Sequence, residues 1–359
     1  MSSVLKDIIN EALVETLAQD ILSNKSNFNA KNFKNNVLSS QWRTLELKQR
    51  IRHVATMLGQ HLPGSYEQQI VILKKIAPKY NGLAGLIFPD FVEVHGQKHV
   101  ETSLEALKFF TQFSSSEFAI RIFIKNHAKK LIQTLLKWSK DSNEHVRRLA
   151  SEGSRPRLPW SFKLDQFIED PQQTLVILEN LKNDQSLYVR KSVANHLNDI
   201  SKDHPELVLE VARKWYGKSE ETNWIVKHAL RTLLKRGDQR ALKIFGLSSL
   251  KGVLVDGLRI LKAKNKIGTQ VEFSFRLVNE GKIRIIRVEY AIHYIKKTIG
   301  TSKKVFKLSE KDYARGAHKV VKYHSLKQMT TRKHYPGIHQ LDIIINGEIK
   351  ASTKFQVVK

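Results

Sequence analysis

Cysteine is absent from this 359-residue chain. That excludes disulfides, thiolate metal sites and a cysteine nucleophile. Acids are scarce: 34 Asp and Glu stand against 61 Lys and Arg, a formal net charge of +27 with a pI near 10.0. A surface so unbalanced repels itself, and the cost is tolerable where the partner is a polyanion. Nucleic acid leads; ribosomal RNA and an anionic membrane are the other candidates. Long apolar runs are missing, so no transmembrane helix is expected. The opening residues, Met1 to Asp7, are amphipathic and acid-bearing, unlike a signal peptide. A cytoplasmic protein is the expectation. There is no phosphate-binding Walker loop, no dinucleotide fingerprint and no His-Glu-x-x-His. What remains is 41% hydrophobic and 26% charged, a globular composition long enough for two domains.

Residues 4–22 carry Val4, Leu5, Ile8, Ile9, Leu13, Leu17 and Ile21 at helical spacing. An Asn-rich stretch, 23–36, reads as a loop. Helical patterns return at 41–60 and 66–80, and 83–91 is apolar but broken by Pro89. From about residue 104 a repeat emerges. Its clearest copies begin at Asp141 and Asp184, each followed by Val-Arg (Val146-Arg147, Val189-Arg190) at the start of a second helix. The first helices lie near 127–139 and 171–182. Weaker copies end in Ile120-Arg121 and Val226-Lys227. An Asp-x-x-x-x-Val-Arg signature between Leu-rich helices resembles HEAT repeats. The Asp is expected to satisfy amides at the helix start, the Val to enter the core, and the cation to sit at the edge of the inner face. Stacked hairpins of this kind form a solenoid, whose wall of Arg147, Arg148, Arg190, Lys191 and Lys227 suits a phosphate backbone.

The helical repeat is assigned to 1–246 and a part-helical linker to 247–265. Beyond it period two takes over: Val271, Phe273, Phe275 and Leu277 alternate with polar residues. Further strands are expected at 283–295, 303–308, 317–326 and 338–345. Asn346-Gly347, a type I′ turn signal, leads to a last strand at 348–358. The expectation for 266–359 is a small immunoglobulin-like β-sandwich. It holds 20 Lys and Arg against 7 acids, +13 of the total charge, and is therefore also expected to touch the polyanion. The fold class is thus an all-α HEAT-like solenoid followed by an all-β sandwich.

The stretch from Val146 to Trp160 concentrates the chemistry. Arg147 and Arg148 lie on a helix, Glu152 in its last turn, and Gly153 is the αL-tolerant residue expected to stop it. Arg155-Pro-Arg157-Leu-Pro-Trp160 follows, a loop stiffened by two prolines that offers two guanidiniums to phosphate and one ring to a base. Aligning Val146 with Val189 places Glu152 opposite Asn195, with Asp199 one turn beyond. Carboxylates beside a phosphate-binding wall are electrostatically wasteful unless they face a cation, and a methylated base is one. The bland alternatives are that each acid pairs with a basic neighbour, that Glu117 closes a capping box with Ser114, and that Trp160 is a core residue. His95 and His99 are four apart with Gly96 between them and no third ligand, so no metal is assigned.

Glu152-Gly-Ser-Arg-Pro-Arg-Leu-Pro-Trp160, after Val-Arg-Arg-Leu-Ala, closely resembles the AlkC branch of the HEAT-like-repeat DNA glycosylases. Some members carry a C-terminal immunoglobulin-like domain, so the resemblance spans the whole chain. It implies excision of cationic N3-methylated bases, chiefly 3-methyladenine with 3-methylcytosine second, from double-stranded DNA without deep base flipping, by a single chain and with no cofactor. It also implies that Glu117, Glu152 and Asp199 are the active-site carboxylates, with Trp160 and Arg148 on the lesion side. The rival from another class is a non-catalytic HEAT scaffold for nucleic acid or ribosomes.

Overall fold

The computed structural model describes residues 5–247, 251–329 and 332–359; Val4 of the expected first helix and 248–250 of the expected linker fall outside them. The chain divides into two compact units, one of residues 1–204 with 217–229, the other of 205–216 with 230–359.

The first unit is helical throughout. Amphipathic segments became helices where the sequence set caps: Asn10 accepts from the Leu13 amide before Glu11–Asn24, and Ser65 with Gln68 forms a capping box before Tyr66–Ile76. Two expectations fail here. Ala30–Val37 is a helix, capped by Asn29, because an Asn-rich run supplies N-caps as readily as loops. Ile87–His95 is also one helix, since Pro89 falls in its first turn, where no amide donor is needed.

The repeat copies superpose in chemistry. Val146, Val189, Val226 and Ile120 are all buried. Helices Glu144–Glu152 and Leu187–Ile200 are preceded by Asp141 and Asp184, each accepting the amide two residues on at 2.9 Å. The Arg after each valine turns back: Arg147 Nη1 donates to the carbonyls of Asp141 and Ser142, Arg190 Nη1 to those of Asp184 and Gln185. Arg147 also forks onto Asp184 at 2.6 and 3.0 Å, joining one repeat to the next. Arg121, expected at the edge of the inner face, is instead fully buried.

Among its described residues the second unit contains eight strands, β1 (Val253–Ile260), β2 (Lys264–Lys266), β3 (Gln270–Asn279), β4 (Arg284–Ile295), β5 (Thr301–Tyr313), β6 (Gly316–Ser325), β7 (Gly337–Ile345) and β8 (Glu348–Val358). They form sheets ordered β1-β3-β6 and β2-β8-β7-β4-β5. The alternation of Val271, Phe273, Phe275 and Leu277 points into a core shared with Ile286, Val288, Ile343 and Phe355 of the opposite sheet. The expected linker is wrong for 253–260 and 264–266, which are β1 and β2. A bulge between Asp256 and Arg259 shifts the core-facing positions from Val253 and Val255 to Leu258 and Ile260, so period two breaks midway. Asn346 (φ 44°) and Gly347 (φ 82°) make the expected turn. Its tip packs on the Gly237 backbone, where a Cβ on Gly347 would meet Gly237 Cα at 2.8 Å.

Candidate active site

Helix Glu144–Glu152 ends against the short helix Ile120–Asn126. Gly153 is not left-handed as expected; its φ is −64°. It is glycine for space: a Cβ there would stand 2.5 Å from Ile120 Cγ2 and 3.0 Å from the Leu149 carbonyl. The close approach lets Arg121, buried on the same helix as Ile120, reach the loop that follows. Its Nη1 donates to the carbonyls of Gly153 (3.0 Å) and Arg155 (2.7 Å), and its Nη2 to that of Phe162 (2.5 Å). Burial, and then the Arg155 cation, bring the Arg121 pKa down to about 10.

Within this clamp the acids and arginines alternate. Glu117 Oε2 is 2.7 Å from Arg148 Nη1, and Arg148 Nη2 is 3.7 Å from Glu152 Oε1. Arg155 Nη1 donates to Glu152 Oε1 at 2.7 Å, while its Nε and Nη2 lie 2.9 and 2.8 Å from Asp199 Oδ2. Lys202 closes the file on Asp199 Oδ1 at 2.9 Å. Glu152 is 5% and Asp199 2% exposed. Burial works to raise the Glu152 carboxyl, but Arg148 and Arg155 more than offset it, and the group is held below the ordinary glutamate value. The three carboxylates therefore do meet, as the repeat alignment implied for two of them.

One cleft is lined by Glu117, Arg148, Glu152, Arg155, Trp160 and Tyr188. Asp199 is not on its wall but stands behind Arg155. Trp160 is no core residue: it is 61% exposed, and its φ of 65° is left-handed, a strained placement for a bulky side chain. Lys48 Nζ holds its carbonyl at 2.5 Å. Glu117 does not close a capping box; the Ser114 hydroxyl donates to the Gly82 carbonyl, and Glu117 accepts from Ser115 Oγ instead.

The other expected cations lie elsewhere. Arg157 forks onto Asp203 and Arg147 onto Asp184, so both guanidiniums are engaged. Neither these two nor Arg190, Lys191 and Lys227 line the cleft. The bland alternative, each acid paired with a basic neighbour, is realised in full. His95 bonds the Ala55 carbonyl, and His99 faces Glu67.

Sequence reasoning missed several residues. Tyr188 stacks under the Arg148 guanidinium at 4.4 Å and meets His145 edge-on. The two occupy the position before each repeat valine, a signal that was available. Arg121 and Lys48 reach the loop from 34 and 112 residues away, and no spacing rule finds such pairs. His196, wholly buried, donates its Nδ1–H to the Ser151 carbonyl at 3.0 Å.

Comparison with known proteins places this geometry. Residues 100–233 match the family described as DNA alkylation repair enzyme, and residues 254–359 match the C-terminal Ig-like domain of the uncharacterised protein YhaZ. YhaZ of Bacillus subtilis (strain 168) is 46% identical over 354 residues, covering 98% of this chain and 99% of that one. The solved structure of Pseudomonas fluorescens alkylpurine DNA glycosylase AlkC, bound to DNA containing an abasic site analog, is 40% identical, covers 99% of this chain and 100% of its own, and has a TM-score of 0.96. The chain belongs to the AlkC family. Helical repeats and Ig-like sandwich are both features of that family as matched here, so the AlkC resemblance of the 152–160 motif extends to the whole chain. Among the described residues, no helix of this AlkC-family protein is long and apolar enough to cross a membrane.

Proposed function

We propose that this chain is a DNA glycosylase that hydrolyses the N-glycosidic bond of cationic N3-methylated bases in duplex DNA, chiefly 3-methyladenine, with 3-methylcytosine second. The observation that carries the reading is the file Glu117–Arg148–Glu152–Arg155–Asp199 beside the strained, exposed Trp160. Two nearly fully buried carboxylates are an expensive way to stabilise a fold, because desolvation offsets most of what ion pairing returns. Strain at an exposed tryptophan contributes nothing to stability at all. Both make sense where a cation must be received.

The chemistry needs little acid. An N3-methylated base is already positively charged and leaves as a neutral molecule, taking the electron pair of the glycosidic bond. Positive charge then moves onto the sugar, giving an oxocarbenium-like transition state. Glu152, ionised and fixed by Arg148 and Arg155, stabilises that charge. A second carboxylate orients the water whose oxygen bonds C1′ and takes up its proton. The products are the free base and an abasic sugar; no metal or organic cofactor enters. Trp160 and Arg148 meet the lesion side, which stays out of any deep pocket. Lys191 and Lys227, with the net positive charge around Arg147, Arg157 and Arg190, supply the basic wall toward the duplex, while Arg155 serves the carboxylate file. In the Ig-like domain, whose start we move from 266 to β1, Lys303, Lys304 and Arg332 gather with Lys235 and Arg236 around one depression, a second surface for phosphate. The chain acts as a monomer.

The full pairing of the acids favours a second reading, a DNA-binding scaffold without catalysis. Chromatography of bases released from alkylated duplex DNA in the presence of EDTA separates the two. Free 3-methyladenine above the spontaneous background is expected; none would leave the scaffold.

A further inference from the structure

Trp160 is held in a turn that does not suit it. The Ser161 amide closes that turn on the Leu158 carbonyl at 3.3 Å, with Pro159 and Trp160 as its two central residues. Proline is at home in the first central place, but a positive φ in the second ordinarily calls for glycine or asparagine. Trp160 has a φ of 65° there, and its ring, 61% exposed, gains little from packing in return. Left to itself the residue would relax toward extended backbone, carrying the ring away from the cleft wall that it shares with Glu117 and Glu152. Something outside the turn has to hold it.

Two cations reach this loop through its carbonyls, and they differ in kind. Arg121 is fully buried and fixes the loop on either side of the turn, at Arg155 and Phe162. Lys48 is exposed and takes the strained residue itself, its Nζ donating to the Trp160 carbonyl at 2.5 Å. The place is a poor one for a lysine. It lies in the first turn of helix Leu47–His61, where the macrodipole disfavours a cation. Among the described residues Lys48 forms no ion pair; its ammonium goes instead to the Trp160 carbonyl and over the ring of Phe118, 5.1 Å from the centroid. Phe118 follows Glu117 in the chain, and both line the cleft with Trp160. One ammonium thus ties the backbone of Trp160 to the neighbour of Glu117. A hydrogen bond from a charged donor returns about as much as a left-handed backbone at a bulky residue costs.

We propose that Lys48 is a positioning residue: it holds Trp160 in its left-handed turn and so keeps the ring on the wall of the carboxylate cleft. It acts through Trp160 rather than on the reacting atoms. The proposal rests on the glycosylase reading for the use made of the ring. The hold on Trp160 itself can be measured on the protein alone.

The full chain carries five tryptophans; grown with 5-fluorotryptophan, it gives fluorine resonances among which Trp160→Phe identifies that of Trp160. Lys48→Met removes the donor and keeps the bulk, and Lys48→Arg can still donate to the carbonyl. In Lys48→Met, without DNA, the Trp160 resonance should shift or broaden while the others stay and the thermal melt is little changed. Single-turnover excision from DNA saturated with protein should slow about tenfold. Lys48→Arg should restore part of both. An unmoved Trp160 resonance in Lys48→Met overturns the proposal whatever the rate, and a slower rate with the ring in place would mean that Lys48 acts on the DNA directly. A moved resonance with a wild-type rate overturns it too, since the placement of the ring would then not matter. So does a lowered melt in which all the resonances move, which would make Lys48 merely structural. Absence of excision by the wild-type chain would sink the glycosylase reading, and the resonance would still decide whether Lys48 holds the ring.

Discussion

Arg121 Nη1 lies 2.7 Å from the carbonyl oxygen of Arg155 and donates to it. One buried cation thus fixes the backbone of a second, and the second holds Glu152 and Asp199 together. Arg121→Met removes three hydrogen bonds from a charged donor and is expected to lower stability by about 3 kcal/mol or more. Arg121→Lys should recover part of it. If Arg121 positions Arg155, Glu152 loses a stabilising cation in Arg121→Met and its pKa rises. Single-turnover excision, measured well below the melting temperature, should then show its acid limb at higher pH. A lower rate with an unmoved acid limb would make Arg121 merely structural.

Glu152→Gln and Asp199→Asn keep shape and remove charge. Glu152 lines the cleft, so its loss should lower the single-turnover rate about a hundredfold or more. Asp199 stands behind Arg155; its loss should slow the reaction too and also release Arg155 toward the acid that remains. DNA affinity should hold or rise in both, since a neighbour that repels phosphate has gone. Wild-type rates in both variants would refute the carboxylate assignment.

Much of this was legible in the chain because local rules and the global fold agree. Asp141 and Asp184, Val146 and Val189, and the alternation in β3 each obey a period or a cap. The 152–160 stretch put one acid, Glu152, beside two guanidiniums and a ring, Trp160, that is exposed. What was illegible is non-local or depends on space. Gly153 looked like a helix stop, but its reason is Ile120, 33 residues back in the chain by count and against it in the fold. Arg155 and Arg157 looked open to phosphate, but Glu152, Asp199 and Asp203 already hold them. The bulge in β1 hid a strand by breaking its period. Net charge of +27 says which partner to expect, not which cations are free.

Gly153→Ala tests the close packing directly. A methyl 2.5 Å from Ile120 Cγ2 and 3.0 Å from the Leu149 carbonyl forces the two helices apart. A loss of about 1–3 kcal/mol is expected, read as a shifted urea midpoint with unchanged m. Ile120→Leu in the same chain, which removes the Cγ2 branch, should restore part of it.

His196 and His324 are both buried neutral, one in each unit. Burial brings each pKa down to about 4; the Arg332 cation adds to the effect at His324. His324 sits between the hydroxyls of Tyr290 and Tyr294, which bond its two ring nitrogens at 2.9 and 2.7 Å. For a histidine lowered on folding, the unfolded chain binds the proton first. Its stabilising contribution is therefore complete above about pH 6.5 and declines as pH falls toward 4. Each group should remove roughly 2–4 kcal/mol across that window. Urea melts at pH 7 and 4.5 check the size, and His324→Gln should flatten the dependence for the Ig-like domain. An unchanged slope would mean that the ring is protonated in the folded chain.

The Ig-like domain offers a test of DNA engagement that truncation cannot. A chain ending near Lys264 would keep β1 without its partner β3, so any drop in affinity could come from misfolding of what remains. Charge reversal leaves the sheets intact. Lys303 and Lys304 lie on β5 and line the basic depression with Arg332, and neither touches the carboxylate file. If they neutralise phosphates, Lys303→Glu with Lys304→Glu should weaken binding to lesion-bearing and undamaged duplexes alike. The slope of log affinity against log salt should become shallower by about 0.9 for each phosphate no longer neutralised. Excision from DNA already saturated with protein should proceed at the wild-type rate, because the chemistry lies in the other unit. An unchanged salt slope would take this surface out of DNA binding.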